Sequence, residues 1–351
     1  MPKSVHIRRK EMNHFQRYLA DEFAEDYEEG RLTRRDALKL IASVTGSMLI
    51  ANSILAACAA PPDEATPAAV ASNTPQIADT SGETATPAAV EPTATQGTGD
   101  TASPTSQSAQ AGGTVSPDDP AVAGEDIQFQ DNTGATLMAY LARPSQEEAA
   151  PVVLVCHENR GLTDHLKDVA RRLAKAGYVA LAVDLLSRQG GTGVVGSENV
   201  PGALSGMPAE QYSQDFISGW MYLQNQPFAQ ADRVGMVGFC FGGGVTWQTA
   251  TKMPELRAAV PFYGPHPPLE DVPNIQAAVL AIYGELDQRI NQGIPAIEEA
   301  MLANNKIFEK VIYPDADHAF HNDTGTRYNA EAAQDAWART LDWFEQYLRA
   351  L

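Results

Sequence analysis

The stretch RVGMVGFCFGGGV, residues 233–245, decides how the rest of the chain is read. Val234, Met236, Val237 and Phe239 form a short apolar run suited to a buried strand, and a helical pattern begins near Phe241. Cys240 sits at the junction, with Gly238 and Gly242 two residues away on either side. A sharp strand-to-helix turn needs small residues at both places, because larger ones would collide with the neighbouring strand and helix. Such a turn sets the thiol at a helix N-terminus, where backbone N–H groups and the helix dipole favour thiolate. The same residues also suit a packing cysteine beside glycines that only permit close helix–sheet contact. Chemistry therefore requires a base and an orienting acid elsewhere.

The surroundings of that stretch alternate strand and helix. Ile127 and Phe129, then Leu137, Ala139 and Leu141, alternate around the turn DNTG and predict a β-hairpin. PVVLVCH (151–157) is a continuous apolar run suited to a strand buried on both faces. TDHLKDVARRLAKAG (163–177) has helical spacing, with Thr163 placed to cap it and Gly177 to end it. YVALAVDLL, RAAVPFY, AAVLAIY and IFEKVIYP read as further strands. AEQYSQDFISGWMYLQ, IPAIEEAMLANN and the last 23 residues read as helices. The expected fold is α/β, a mostly parallel sheet with helices on both faces, in one domain over 122–351.

The acid and the base follow at strand ends. AIYGELD places Asp287 just past one strand, and VIYPDADHAF places His318 just past the next. Glu285, Asp315 and Asp317 compete for the orienting role. Asp287 is preferred because it lies farther beyond its strand, where a loop can turn it toward the histidine. The order nucleophile, acid, histidine is that of the α/β-hydrolases. A free thiol has a pKa of about 8.5, so near pH 7 it needs a neighbour to take its proton.

Taken together, CHENRGL, GFCFGGG, YGELD and DADHAFHND resemble the dienelactone hydrolase (carboxymethylenebutenolidase) family over roughly 125–351. The resemblance implies a Cys240–His318–Asp287 triad that hydrolyses esters or lactones through an acyl-enzyme. It also implies a glutamate, matching Glu158, that holds the resting thiol and helps deprotonate it. The oxyanion hole would use the N–H groups of Phe241 and Asn159. In the family's prototype enzymes arginines bind the substrate carboxylate, one of them four residues after the histidine. Here that position is Asn322, followed by Asp323, and the segment before residue 209 offers Arg188 as a second arginine. A pocket poor in cations, favouring neutral esters or lactones, is therefore expected.

Other residues carry weaker signals. Arg160 fits a strand-end ion pair or substrate contact. Tyr263 and His266 follow a strand end and fit a pocket wall, Arg289 less so. His321 reads as pocket wall or surface. Cys156 reads as a small buried strand residue. His157-Glu158 lacks the second histidine of a metal-binding H-E-x-x-H, so no metal and no cofactor are expected. The glycine-rich stretch 187–212 reads as a mobile lid or rim.

The first third of the chain is expected to lie outside the fold. Arg34 and Arg35 precede an uncharged run from Leu40 to Ala57, which resembles a twin-arginine export signal. Leu55-Ala56-Ala57-Cys58 resembles a bacterial lipobox, so residues 1–58 read as signal and lipobox, with Cys58 as the lipidation site. Residues 59–121 are rich in Thr, Ala and Pro and read as a disordered linker with a reach of roughly 40–46 Å. The expected product is an extracytoplasmic lipoprotein, membrane-anchored through Cys58. A formal net charge of −19 argues against a nucleic-acid partner. Two rival functions remain: a non-catalytic binding lipoprotein that keeps the hydrolase fold, and a thiol redox protein using Cys156 and Cys240. The second has no C-x-x-C motif to support it.

Overall fold

The computed structural model describes residues 12–58, 113–146 and 148–349. An eight-stranded sheet runs in the order β1-β2-β4-β3-β5-β6-β7-β8. Its strands are β1 (Val122–Gln130), β2 (Thr136–Pro144), β3 (Ala150–Cys156), β4 (Val179–Asp184), β5 (Ala229–Phe239), β6 (Ala258–Phe262), β7 (Ala278–Gly284) and β8 (Phe308–Tyr313). β1, β2 and β4 pair antiparallel, and all pairs from β4 to β8 are parallel. The hairpin forms as the alternation predicts, its turn closed by Asp131 Oδ1, which accepts from the N–H groups of Thr133 and Ala135 at 2.8 Å. Every residue of β3, β4, β6 and β7 is buried, as continuous apolar runs require between two helical layers.

Among the described residues three helices precede the sheet: α1 (His14–Glu28), α2 (Arg34–Thr45) and α3 (Met48–Leu55). Five longer helices follow among the described residues: α4 (Asp164–Lys175), α5 (Ala209–Leu223), α6 (Phe241–Lys252), α7 (Ile294–Ala303) and α8 (Ala330–Phe344), which runs on into a last helical turn at Glu345–Arg349. Thr163 stands at the N-cap of α4 but makes no side-chain cap bond; Gly177 follows its end with φ 91°. The stretch 187–212, expected to form a lid or rim, has exposed residues at Gln189, Gly190, Gly193, Val194 and 197–199. It folds into helical turns at Ser187–Gln189, Thr192–Val195 and Val200–Ser205 and then enters α5, with Val200 and Leu204 fully buried.

The N-terminal region is where the architecture departs most from expectation. α1 starts with a capping box, Asn13 Oδ1 accepting from the Gln16 N–H while Gln16 Oε1 accepts from the Asn13 N–H. Phe15, Tyr18, Leu19, Glu22, Phe23 and Tyr27 then recur at three- and four-residue spacing and are buried. Phe15 packs against Tyr212 and Phe241 at ring separations of 4.9 and 5.1 Å. Burial of Phe15, Leu19 and Phe23 contributes on the order of 1.5–3 kcal/mol each. The twin-arginine stretch forms α2, capped by Thr33, with Ala37, Leu40, Ile41 and Val44 buried. α2 lies close to the Val200–Ser205 helix, where a Cβ on Gly202 would meet Ser43 Cβ at 2.9 Å. No described helix is long and apolar enough to cross a membrane. Most of the expected linker, 59–112, falls outside the described residues. Its last part, 113–121, is described: the Val115 N–H donates to Asp168 Oδ1 at 2.7 Å, and the Val115 carbonyl accepts from Arg171 Nε at 2.6 Å.

The turn at Cys240 has the geometry that the opening stretch suggested. Cys240 has φ 58° and ψ −119°, follows β5 directly, and is the N-cap of α6. A Cβ on Gly238 would lie 2.2 Å from the Gly242 carbonyl oxygen, and one on Gly242 would lie 2.5 Å from the His157 carbonyl oxygen. Both obstacles are backbone, so no side chain can give way. Gly242→Ala is expected to lower stability by at least about 1–3 kcal/mol, read as a lower urea midpoint with an unchanged slope.

Candidate active site

Cys240, Asp287 and His318 meet at the C-terminal ends of the parallel strands, from β5, β7 and the loop after β8. His318 Nδ1 is 2.5 Å from Asp287 Oδ2. Asp287 is fixed in turn by capping a short helical turn, Oδ1 accepting from the Ile290 N–H at 3.3 Å. The competing carboxylates point elsewhere. Glu285 Oε2 accepts from the Asp315 N–H at 3.1 Å, and Asp317 Oδ1 accepts from the N–H of His318 itself. Asp315 has φ 54° in an exposed turn.

The electrostatics follow from burial and neighbours. Burial alone would lower the His318 pKa, but Asp287, and Cys240 when it is ionised, outweigh it and raise the imidazole well above its ordinary value. Burial would raise Asp287, yet His318 keeps it below the usual carboxylate range. The Cys240 thiol is 3 % exposed, and burial followed by Glu22 pushes its pKa up while His318 pulls it down. Glu158 is raised to about 7 by burial, opposed by His318 and a hydrogen bond from Asn322 Nδ2 at 2.9 Å.

Two residues from α1, which sequence reasoning assigned to a signal, join this cluster. Tyr18 Oη lies 3.2 Å from Cys240 Sγ and 3.5 Å from His318 Nε2. Glu22 Oε1 lies 3.5 Å from Cys240 Sγ and accepts from Asn159 Nδ2 at 3.0 Å. Ligand atoms of Glu22, Cys240 and His318 all lie within 4.8 Å of one another.

A cavity of about 290 Å³ opens beside the thiol, lined among others by Glu22, Asp26, Arg31, Glu158, Asn159, Arg160, Asn322 and Arg327. Phe241 follows Cys240 as the first residue of α6, and Asn159 lines the cavity with its side chain bonded to Glu22. Arg160 is on the rim, its Nη1 3.5 Å from the Ser197 carbonyl. The expectation of a pocket poor in cations does not hold, because Arg327 and Arg31 line it with Arg160. Arg327 went unnoticed because nothing in its sequence neighbourhood marks it. Burial opposes its charge, but Asp26, Glu22 and Asp317 keep the guanidinium firmly protonated. Asp323 turns away from the cavity to His165 Nδ1, at 3.0 Å, and Arg172 Nη2, at 2.5 Å.

The remaining candidates separate cleanly. Tyr263 is fully buried with its ring 5.0 Å from His318. His266 is not among the lining residues of that cavity; its Nδ1 meets the Pro267 carbonyl at 2.7 Å. His321 is neither wall nor surface. It is buried among Phe239, Phe262 and Trp337, and burial lowers its pKa to about 3. Arg188 is held by Asp215 and Asp131, away from the thiol. Arg289 binds Glu25 and lies over the Tyr18 ring at 4.7 Å. Cys156 is buried beneath the site, and burial raises its pKa well above the ordinary value.

The profile of the dienelactone hydrolase family matches residues 137–348. The chain belongs to that family. A Methylorubrum extorquens protein named "Putative carboxymethylenebutenolidase" is 38 % identical over 240 residues, 64 % of this chain and 81 % of its own length. A relative of the same name from Saccharolobus solfataricus is 35 % identical over 255 residues, 62 % of this chain and 97 % of its own. Among solved structures, a Klebsiella pneumoniae protein titled "Putative Dienelactone Hydrolase" superposes with a TM-score of 0.61 at 32 % identity, covering 65 % of this chain and all of that one. This family member is a hydrolase acting on esters or lactones.

The cause of the His318 shift can be checked directly. In Asp287→Asn the carboxylate that opposes desolvation is gone, so the His318 imidazole is expected to titrate at lower pH than in the native chain. Histidine-labelled NMR titration of both proteins measures it, and an unchanged midpoint would assign the shift to another group.

Proposed function

We propose that the protein hydrolyses esters or lactones with Cys240 as nucleophile and His318, oriented by Asp287, as the proton carrier. The observation that carries this reading is the buried 2.5 Å contact between His318 Nδ1 and Asp287 Oδ2, beside a cysteine in a strand-to-helix turn. A carboxylate at Nδ1 fixes the ring so that Nε2 faces the reacting groups. The imidazole takes the thiol proton, and the thiolate attacks the carbonyl carbon, forming a C–S bond and a tetrahedral oxyanion for which the N–H groups of Phe241 and Asn159 are the proposed donors. Collapse breaks the bond to the leaving alcohol, which takes a proton from His318. Water then attacks the thioester, giving its proton to the imidazole, and the acid leaves. The cavity is lined by Arg31, Arg160 and Arg327 together with Glu22, Asp26 and Glu158, and Asp26 pairs with both Arg31 and Arg327.

Cys240→Ala is expected to reduce kcat for p-nitrophenyl acetate on the order of 10⁴–10⁶-fold, and His318→Ala nearly as much. Rapid acid quench of the native protein should trap an acetyl group on Cys240, seen as a mass shift of the peptide containing it. More than a tenth of native activity in Cys240→Ala would remove the cysteine from the mechanism and favour a non-catalytic role for its turn.

A further inference from the structure

We propose that Glu22, Cys240 and His318 form a binding site for a divalent transition-metal ion such as Zn²⁺, and that its occupancy switches hydrolysis off by capturing the thiol. The binding follows from the geometry of the three side chains. The inhibition rests on the reading of Cys240 as the nucleophile.

One carboxylate, one thiol and one imidazole converge from three parts of the chain: Glu22 from α1, Cys240 from the turn before α6 and His318 from the loop after β8. Carboxylate, thiolate and imidazole are the ligand types that zinc takes, with bonds of about 2.0–2.3 Å. The corners of a tetrahedron drawn with such bonds lie about 3.3–3.8 Å apart. Glu22 Oε1 lies 3.5 Å from Cys240 Sγ and 3.9 Å from His318 Nε2, close to that spacing. All three ligand atoms lie within 4.8 Å of one another. Tyr18 Oη is 3.2 Å from Sγ and 3.5 Å from Nε2, placed to fill the fourth position or to hydrogen-bond a water there.

The groups behind the ligands suit the same task. His318 Nδ1 meets Asp287 Oδ2 at 2.5 Å, which leaves Nε2 to face the ion. A carboxylate behind a histidine fixes the ring of a zinc ligand and raises its basicity. Asn159 Nδ2 donates to Glu22 Oε1 at 3.0 Å and holds that carboxylate in place. The helix that carries Glu22 is anchored by Phe15 against Phe241 and by Glu25 on Arg289. Arg327 and Arg289 oppose a cation here, but α1 partners both: Asp26 faces Arg327 at 3.6 Å and Glu25 binds Arg289 at 2.9 Å. Glu22, Glu158 and Asp287 remain as carboxyl groups around the thiol and imidazole, and a divalent ion offsets their charge in a buried space. The cavity of about 290 Å³ reaches Glu22, Cys240 and His318 and gives the ion a route. Glu22 lies outside the residues 137–348 that match the family, so the third ligand belongs to this chain's N-terminal segment.

Binding breaks the S–H bond and forms a metal–sulfur bond; the proton passes to solvent and nothing is oxidised. Sulfur bound to the ion no longer attacks an ester, and Nε2 bound to it can neither take nor give a proton. Removing the ion restores both. Mg²⁺ and Ca²⁺ prefer oxygen ligands and fit this set poorly.

The test uses the full chain, stripped of metal with EDTA and dialysed. Co²⁺ is titrated in and read by its sulfur-to-metal absorption band; Zn²⁺ is titrated against p-nitrophenyl acetate hydrolysis. The native protein should show the band, lose activity as Zn²⁺ binds, and recover it with EDTA, while Mg²⁺ leaves activity unchanged. Glu22→Gln keeps the side chain's size and can still accept from Asn159, but it loses the anionic ligand. Its Kd for Co²⁺ should rise at least about tenfold, since loss of even an outer partner costs about 10–100-fold. The native protein supplies a second readout that needs no variant: Zn²⁺ should protect Cys240 from iodoacetamide, seen in the mass of its peptide. No sulfur-to-cobalt band, an unprotected Cys240, or a Kd in Glu22→Gln less than about tenfold weaker would overturn the site. Equal inhibition by Mg²⁺ would also overturn it, reducing the effect to charge screening. Full hydrolysis with Zn²⁺ bound and the band present would overturn the inhibition and fault Cys240 as nucleophile, leaving the ion site intact.

Discussion

Backbone contact between α6 and the end of β3 is the constraint on which the rest of the site depends. Gly242 lies so near the Cys156 and His157 carbonyls that a single methyl group could not enter. Gly238 lies equally close to the first turn of α6. With both approaches closed, Cys240 is forced into a left-handed conformation that cysteine seldom adopts, and its side chain is lifted off the sheet. The same approach brings the residues after β3, Glu158 and Asn159, beside the thiol. One turn therefore sets the nucleophile and the segment that faces it.

Around that turn the site gathers a dense set of charges in a buried space. Burial, helped by repulsion from Glu22, raises the Glu158 pKa to about 7. Arg327 and the Asp287-backed imidazole offset the remaining negative charge. A buried carboxylate cluster of this kind is stable only if each member has a partner, and the partners here come from separate parts of the chain. Asn159 holds Glu22, Asn322 holds Glu158, and Asp26 faces Arg327 at 3.6 Å. Ionisation at one member shifts its neighbours, so the cluster titrates as a unit.

The place of Asn322 illustrates how a correct observation can mislead. An arginine is missing four residues after His318, and the pocket was expected to lack cations for that reason. Arg327, nine residues after His318, and Arg31 on the segment between α1 and α2 both line the cavity instead. Asp323, which seemed to add negative charge to the site, spends it on His165 and Arg172. A position four residues along a loop fixes no direction in space, because loop backbone turns too freely for spacing to imply facing.

The sequence by itself determined the parallel core, the turn at Cys240 and the order of cysteine, acid and histidine. These are local properties: apolar runs mark strands buried on both faces, and glycine spacing marks the turn. The apolar face of residues 14–28, Phe15, Leu19 and Phe23 at helical spacing, was passed over in a segment assigned to a signal. Only the tertiary structure decided what that face packs against. Export-signal features at Arg34, Arg35 and Cys58 drew the whole N-terminal segment outside the expected fold, yet α1 and α2 bury their apolar faces in the described unit. Tyr18 and Glu22 reach the thiol from 222 and 218 residues away. No pattern read along the chain contains such a pairing, because an amphipathic stripe records that a surface is covered but not which surface covers it.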